Sequence, residues 1–277
     1  MTRREALLYS IGLPAVAQTR AALPGAAEAG PVRWTPHPVF PGAPILFRSK
    51  TISGTATWLE KTIEFRRDGA GFSALAGVDL DRKVGKYPLA FGDQHMDVVV
   101  TPHAYRSSVI TVPDRFVEPP VEVQARIDEE RVFRTKVFAA SPAERFWNGA
   151  FTAPAPTRFT SSFGVRRVYN GKTKSVHQGL DYAAAMGTEV HAANAGRVVI
   201  ARDMYFEGGL VTLDHGDSLF TLYMHLSKFL VKEGDAVEKG APIAKSGSSG
   251  RVTGPHLHFA VRWQGVYLEP STLLRLW

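Results

Sequence analysis

Two histidines one residue apart, His256 and His258, stand in the run Gly254-Pro255-His256-Leu257-His258-Phe259-Ala260-Val261-Arg262-Trp263. Strand alternation puts Leu257, Phe259, Val261 and Trp263 on one buried face and both imidazoles on the other, where two rings can converge on a single ion. The run Leu219 to His225 repeats the pattern, with Phe220, Leu222 and Met224 on one side and Thr221, Tyr223 and His225 opposite. Upstream, His177-Gln178-Gly179-Leu180-Asp181 adds an imidazole and a carboxylate, with Gly179 letting the backbone bend closely between them. The chain has no cysteine, so any metal must be held by histidines and carboxylates. Such a set suits zinc. A His-Glu-x-x-His helix is absent, which argues against a glutamate base carried on a metal-binding helix.

The elements that must position these groups are strands. From Phe159 onward, Gly196 to Ala201, Leu210 to Leu213, Leu219 to His225 and His256 to Trp263 have strand character, with turns at Gly208-Gly209, Asp214 to Asp217 and Gly247 to Gly254. Ahead of them, Ile45 to Phe47, Thr57 to Phe65, Phe72 to Leu80, Tyr87 to Phe91, Val98 to Val100 and Ser107 to Val112 have the spacing of a small sandwich of immunoglobulin type. After Pro119-Pro120 the period changes. Val123, Ile127, Val132, Phe133 and Val137 fall near one face of a helix whose charged residues, Glu122 through Arg134, cover the other. The expected fold is therefore mainly β: an immunoglobulin-like N-terminal domain over 31–117, a helical connector and linker over 118–150, and an antiparallel β domain over 151–277. Ser141-Pro142 to Pro154-Ala155-Pro156 marks the boundary before that last domain.

A chain of 277 residues with 44% hydrophobic side chains can bury a full core. Its 33 basic and 26 acidic residues give a net charge of +7, spread without an arginine stripe or aromatic platform, so nucleic acid is not an expected partner. No apolar run reaches the roughly 20 residues a membrane-spanning helix needs. Residues 1–30 read as an export signal and its flank: Arg3-Arg4 and Leu7-Leu8 lead a short apolar stretch to Ala15-Val16-Ala17, with Gln18 as the expected first mature residue. The paired arginines resemble a twin-arginine leader. The expected location is the periplasm or cell envelope of a bacterium, as a soluble monomer.

Taken in order, the site motifs resemble those of the LytM and lysostaphin-type zinc endopeptidases of peptidoglycan. The resemblance covers about residues 159–270 and is carried by Ser162-Phe163-Gly164-Val165-Arg166, His177-x-Gly179-x-Asp181, Tyr223-Met224-His225-Leu226, Gly234-Asp235-Ala236-Val237 with Gly240, and Gly254 to Phe259. It implies one Zn2+ per chain held by His177, Asp181 and His258, with His225 and His256 as catalytic histidines. It also implies peptidoglycan peptides, at cross-links or in stem peptides, as the substrate. Two positions depart from the pattern. Ala260 stands where an acidic residue commonly follows the His-x-His-Phe run, and the tyrosine nearest upstream of His177 is Tyr169. Loops around Arg166 to Lys174, Met204 to Gly208 and Ser246 to Thr253 are expected to shape the substrate pocket.

Two other readings compete. A relative without activity would bind the wall or regulate another hydrolase, or the enzyme would be held latent by a covering segment, yet all five site positions are kept. The stretch Gly234 to Lys245 also resembles the hairpin of biotin- and lipoate-carrying domains, with Lys245 as the modified lysine. That reading leaves three histidine-bearing motifs unused. Of the other histidines, His95 and His103 are expected on the surface or in structural roles, His215 in a turn, and His191 in a strand.

Overall fold

The computed structural model describes residues 31–277 apart from Lys172; the leader reading of residues 1–30 lies outside the described residues. The N-terminal part is one antiparallel sheet made of β1 (Val32–Thr35), β2 (Pro44–Ser49), β3 (Gly54–Trp58), β4 (Lys61–Asp68), β5 (Gly71–Gly77), β6 (Gly85–Phe91) and β7 (Gln94–Val100). Its spatial order is β1-β2-β5-β4-β3-β6-β7. The sheet curls until Val39, ahead of β2, bridges Val100 at the end of β7, and the Thr101 N–H bonds the Val39 carbonyl at 2.8 Å. Alternation in β4 shows why it curls round a core: Ile63 and Phe65 are buried with Phe47, Trp58 and Leu89, while Thr62 and Glu64 face water. The expected single strand Thr57–Phe65 is a hairpin. Leu59 and Glu60 form its turn with φ of 47° and 61°, a two-residue geometry usually signalled by Asn-Gly or Asp-Gly, so its residues concealed it.

The last expected strand of this part, β8 (Ser107–Ile110), leaves the curled sheet. It pairs in parallel with β10 (Arg166–Tyr169), in register from Ser107 opposite Arg166 to Ile110 opposite Tyr169. Between them the chain runs through α1 (Val121–Ala139) and β9 (Phe159–Ser161). Pro120 precedes the first helical residue, where its missing N–H removes no helical bond. The expected apolar face is only partly used: Phe133, Val137 and Phe138 pack inward, but Val132 is exposed.

β11 (Thr173–Val176) completes the small sheet with β10. The remaining strands are β12 (Leu180–Tyr182), β13 (Glu189–His191), β14 (Gly196–Met204), β15 (Gly208–Asp214), β16 (Leu219–Phe229), β17 (Ala236–Val237), β18 (Pro242–Ser246), β19 (Leu257–Trp263) and β20 (Val266–Leu268), followed by α2 (Pro270–Leu273). The main path is antiparallel, β17-β14-β15-β16-β19-β12-β9. One face carries Tyr223, Leu257, Phe259, Val261 and Trp263 into a core that continues into the N-terminal sheet. The other carries Ile200, Phe220, Leu222 and Ala260 under α1. β17 and β18 pair with different strands, not with each other, and Lys245 is tied to Glu189 at 2.9 Å, so the carrier hairpin is not formed.

The stretch expected as a linker is packed. Trp147 and Phe151 are buried against Trp277, and the Phe146 N–H bonds the His215 carbonyl at 2.8 Å. His215 itself opens the turn between β15 and β16, as expected, and is fully buried, with Nδ1 2.7 Å from the Ala195 carbonyl and Nε2 2.8 Å from Thr221 Oγ1. Thr221 is joined in turn to the Tyr223 hydroxyl at 3.0 Å, and that hydroxyl accepts the Ala193 N–H. Burial pushes the His215 imidazole down to about 4, only partly offset by its bond to Ala195, so it folds neutral. The unfolded chain protonates this ring near pH 6.5 and the folded chain does not, so stability present above 6.5 is lost as pH falls towards 4. Urea unfolding at pH 7 and pH 4.5 should show a loss of about 2–3 kcal/mol attributable to this ring. The His215→Gln variant, keeping a donor and an acceptor, should show a loss smaller by that amount; an equal loss in both proteins refutes the assignment.

Candidate metal centre

β12 and β19 run antiparallel with Asp181 opposite His258, and this register brings a carboxylate beside an imidazole on the same face. His177 enters from the turn between β11 and β12. Its N–H bonds the Val165 carbonyl at 2.9 Å, and its carbonyl accepts the Gly164 N–H at 2.8 Å. The three side chains are buried and their ligand atoms converge: His177 Nε2 to Asp181 Oδ1 2.9 Å, His177 Nε2 to His258 Nδ1 3.0 Å, and His258 Nδ1 to Asp181 Oδ1 2.8 Å. Among the described residues these three form the cluster able to hold a metal ion.

Whether a cation fits there is decided by protons. His177 Nδ1 lies 2.7 Å from the Ser162 carbonyl, which only accepts, so this nitrogen carries the hydrogen and Nε2 presents a lone pair. That lone pair faces an ionised carboxylate. Burial raises the Asp181 carboxyl, but its contacts with His177 and His258 outweigh this and hold it below the usual range. Arg167 Nη2 donates to Asp181 Oδ2 at 2.8 Å, leaving Oδ1 for the cluster. Burial likewise lowers His258 to about 4, so its ring is neutral and has a ligand nitrogen at neutral pH. With sides of 2.8–3.0 Å, the triangle of His177 Nε2, Asp181 Oδ1 and His258 Nδ1 brings two nitrogens and a carboxylate oxygen close enough to be shared by one cation, and these three residues would hold it.

The other two histidines lie beside this triangle. His256 Nε2 is 3.8 Å from Asp181 Oδ1, and its Nδ1 donates to the Gly254 carbonyl at 2.9 Å. The His225 and His256 rings are 4.8 Å apart, and those of His225 and His258 6.0 Å. His225 reaches this position against strand alternation. Phe220, Leu222 and Met224 sit opposite Arg262, Ala260 and His258 respectively, so the face shared with Met224 is the site's own. A regular strand would send His225 to the far side with Tyr223. Instead Met224 and His225 together oppose Leu210 in a bulge, with His225 at φ 65°. The bulge is held by the His225 N–H to the Glu207 carbonyl at 2.9 Å and by Nδ1 to the Ser249 carbonyl at 2.8 Å. Gly209 makes it possible, since a Cβ there would lie 2.5 Å from the Leu226 carbonyl oxygen. Burial first, then neighbouring His256 and His258, press the His225 ring well below its ordinary value, so it too is neutral.

The site opens into a groove of about 390 Å3 whose lining includes Tyr169, Phe206 and Arg251 from the three loops expected to shape it. Arg167 and Ser249 support site residues through contacts that no motif flagged; the doubled arginine after Val165 is their one trace in the sequence. Ala260 is fully buried under α1, where an acidic side chain would lack water. Tyr169 lines the groove from β10.

Residues 175–270 match the family model described as Peptidase family M23. The C-terminal part of this chain belongs to peptidase family M23. Within and around its M23 region the chain is 42% identical over 109 residues to a peptidoglycan DD-endopeptidase, ShyA, of Vibrio cholerae, covering 39% of this chain and 25% of that one. It is 40% identical over 117 residues to the DD-carboxypeptidase/endopeptidase Mpg of Neisseria meningitidis, covering 42% and 27%. The chain thus spans about a quarter of the length of these relatives. A crystal structure assigned to peptidase M23 from Pseudomonas aeruginosa superposes with a TM-score of 0.66 at 25% identity, covering 87% of this chain and 97% of that one. The likeness therefore includes the curled sheet as well as the M23 region.

Gly179 is where the centre is most easily broken without touching a ligand. A Cβ on it would lie 2.4 Å from His258 Nε2 and 2.7 Å from the Phe259 carbonyl oxygen. Gly179→Ala should displace the His258 ring and weaken metal binding by about 10- to 100-fold, the range for lost support around a ligand. Competition with a chromophoric chelator measures this; wild-type affinity in the variant would show the backbone approach to be unimportant.

Proposed function

We propose that this protein is a zinc-dependent endopeptidase that hydrolyses peptide bonds of bacterial peptidoglycan, in cross-links or stem peptides. The observation that carries the reading is the meeting of His177 Nε2, Asp181 Oδ1 and His258 Nδ1, all buried, within 3.0 Å of one another, a donor set that a cation can share. His177, Asp181 and His258 would hold the ion, and two nitrogens with one carboxylate oxygen are a donor set for zinc. Zinc bound by three protein ligands supplies an open position that acidifies water and polarises a carbonyl. The names of the relatives, which include peptidoglycan DD-endopeptidases, support the substrate class.

The chain's own residues supply the proton handling. His225 and His256 each give their Nδ1 hydrogen to a backbone carbonyl, of Ser249 and Gly254, which leaves the Nε2 of each for the site. One such nitrogen takes the proton of the attacking water and passes it to the departing amine. The other orients that water by accepting its second hydrogen, and the first, while it carries the transferred proton, donates to the carbonyl oxygen as negative charge develops on it. Arg167 holds the outer oxygen of Asp181 and orients the carboxylate throughout, and the Ser162 carbonyl fixes the His177 tautomer.

In this reading residues 151–277 form the peptidase unit, and residues 31–117 are an accessory module, a curled antiparallel sheet in place of the expected immunoglobulin-type sandwich, whose last strand braces β10. Residues 118–150 join the two. The leader-type residues 2–17 and the wall substrate support export to the cell envelope.

The reading is tested with the full-length chain, zinc and defined muropeptides, with products identified by mass spectrometry. His258→Ala should lose both bound zinc and cleavage. His256→Ala should keep most of its zinc and lose about 100-fold or more in turnover. A His256→Ala protein as active as wild type removes the catalytic assignment, and a zinc-loaded wild type that cuts no muropeptide removes the proposed function.

A further inference from the structure

We infer that Arg251 is a carboxylate-binding residue that sets substrate preference in the groove, a reading that rests on the proposed hydrolysis of acidic wall peptides. Three guanidinium groups line this groove, and two are already neutralised. Arg167 pairs with Asp181, and Arg134 of α1 pairs with Glu207. For the Arg251 side chain there is neither an ion pair nor a hydrogen bond among the described residues. Its central carbon lies 4.9 Å from the ring centres of both Tyr169 and Phe206.

Contact with ring faces fixes a guanidinium without using its N–H donors, so the five hydrogens of Arg251 remain available in a planar fork. The support is rigid. The Arg251 N–H bonds the Phe206 carbonyl at 2.8 Å, and Gly250, at φ 74°, brings the loop so close that a Cβ would sit 2.4 Å from the Gly208 nitrogen. The turn at 205–208 that anchors Arg251 also holds His225 through the Glu207 carbonyl, so the cation and the reacting centre are fixed to one element. Behind Tyr169 and Phe206 lie Val112, Phe116 and Ile110, from the segment that crosses over with β8. A half-buried cation held beside a metal-binding triangle, with its donors free, matches a planar anion.

Peptide stems offer carboxylates of two kinds, the terminal α-carboxylate and the side-chain carboxylates, and the fork recognises either. The test separates them with three versions of one cross-linked stem-peptide dimer: all carboxylates free, the terminal carboxylate amidated, or the side-chain carboxylates amidated. Binding to the full-length zinc-loaded chain is measured by calorimetry in a His256→Ala background, and cleavage is followed separately with native His256. One amidation should weaken binding by about 10- to 100-fold, the scale of a charge-assisted bidentate bond, and should name the group held. Arg251→Met should reduce that free-over-amidated ratio to within about twofold. Arg251→Lys, which keeps charge without the fork, should give an intermediate ratio. Bound zinc and the urea midpoint of each variant are recorded alongside. The proposal is overturned if neither amidation weakens binding of the Arg251 protein, a comparison that needs no variant to fold, or if Arg251→Met keeps the full ratio. Binding that discriminates without any cleavage would leave Arg251 assigned and remove the hydrolase reading alone.

Discussion

Three electron-rich atoms forced within 3.0 Å of one another are the constraint around which this molecule is arranged. Each group has been removed from water, so it must be satisfied inside the cluster or by a bound cation. The surrounding contacts hold the three atoms in place. Ser162 occupies the only hydrogen His177 has to offer, Arg167 occupies the outer oxygen of Asp181, and the β12–β19 register fixes Asp181 opposite His258. The close backbone at Gly179 leaves the His258 ring no room to turn aside. These are features of a site held ready for a cation.

The groups beside the triangle follow a second rule, that each imidazole has its Nδ1 side committed to a carbonyl. His225 and His256 bond carbonyls of the two loops flanking the groove. His215, remote from the groove, obeys the same rule with Ala195. The difference lies in the other nitrogen. In His215 it ends on Thr221 inside the core, which makes that ring structural, whereas those of His225 and His256 have no partner of this kind among the described residues. Burial alone would not separate these histidines, since His215 is the most deeply buried of the three.

The pairing of His256 and His258 on one face was legible from period-two alternation, because β19 is regular from Leu257 to Trp263. The same rule applied to His225 misplaces its side chain. The Phe220, Leu222 and Met224 side of β16 faces His258, and only the bulge turns His225 back towards it. A bulge depends on what the neighbouring strand can accommodate, and the visible sign of it is Gly208-Gly209 on β15, which reads equally well as a turn. Arg167 was illegible for a related reason. Its role depends on β10 lying beside β12 in space, which no spacing along the chain encodes. In the N-terminal part, strands with buried alternation such as β4 were readable, whereas the choice of partner was not: Ser107–Ile110 has strand character whichever sheet it joins, and tertiary packing sends it to β10.

The position of α1 bears on whether a helix from outside the peptidase region could act as a removable cover. It lies on the same face of the sheet as the metal triangle, which suggests a lid at first sight. Its contacts argue otherwise. Phe133, Val137 and Phe138 cover Ile200, Phe220, Leu222 and Ala260, an apolar surface that would be left in water if the helix moved away. Arg262 stacks on Phe138 with 4.2 Å to the ring centre, and Arg134 neutralises Glu207 at the turn whose carbonyl holds the His225 bulge. Losing the partner of so enclosed a carboxylate costs roughly 1–3 kcal/mol and would loosen the very turn that places the His225 imidazole. The helix is therefore a wall of the working groove, and a latent state built by its docking would have to dismantle the site in order to open it.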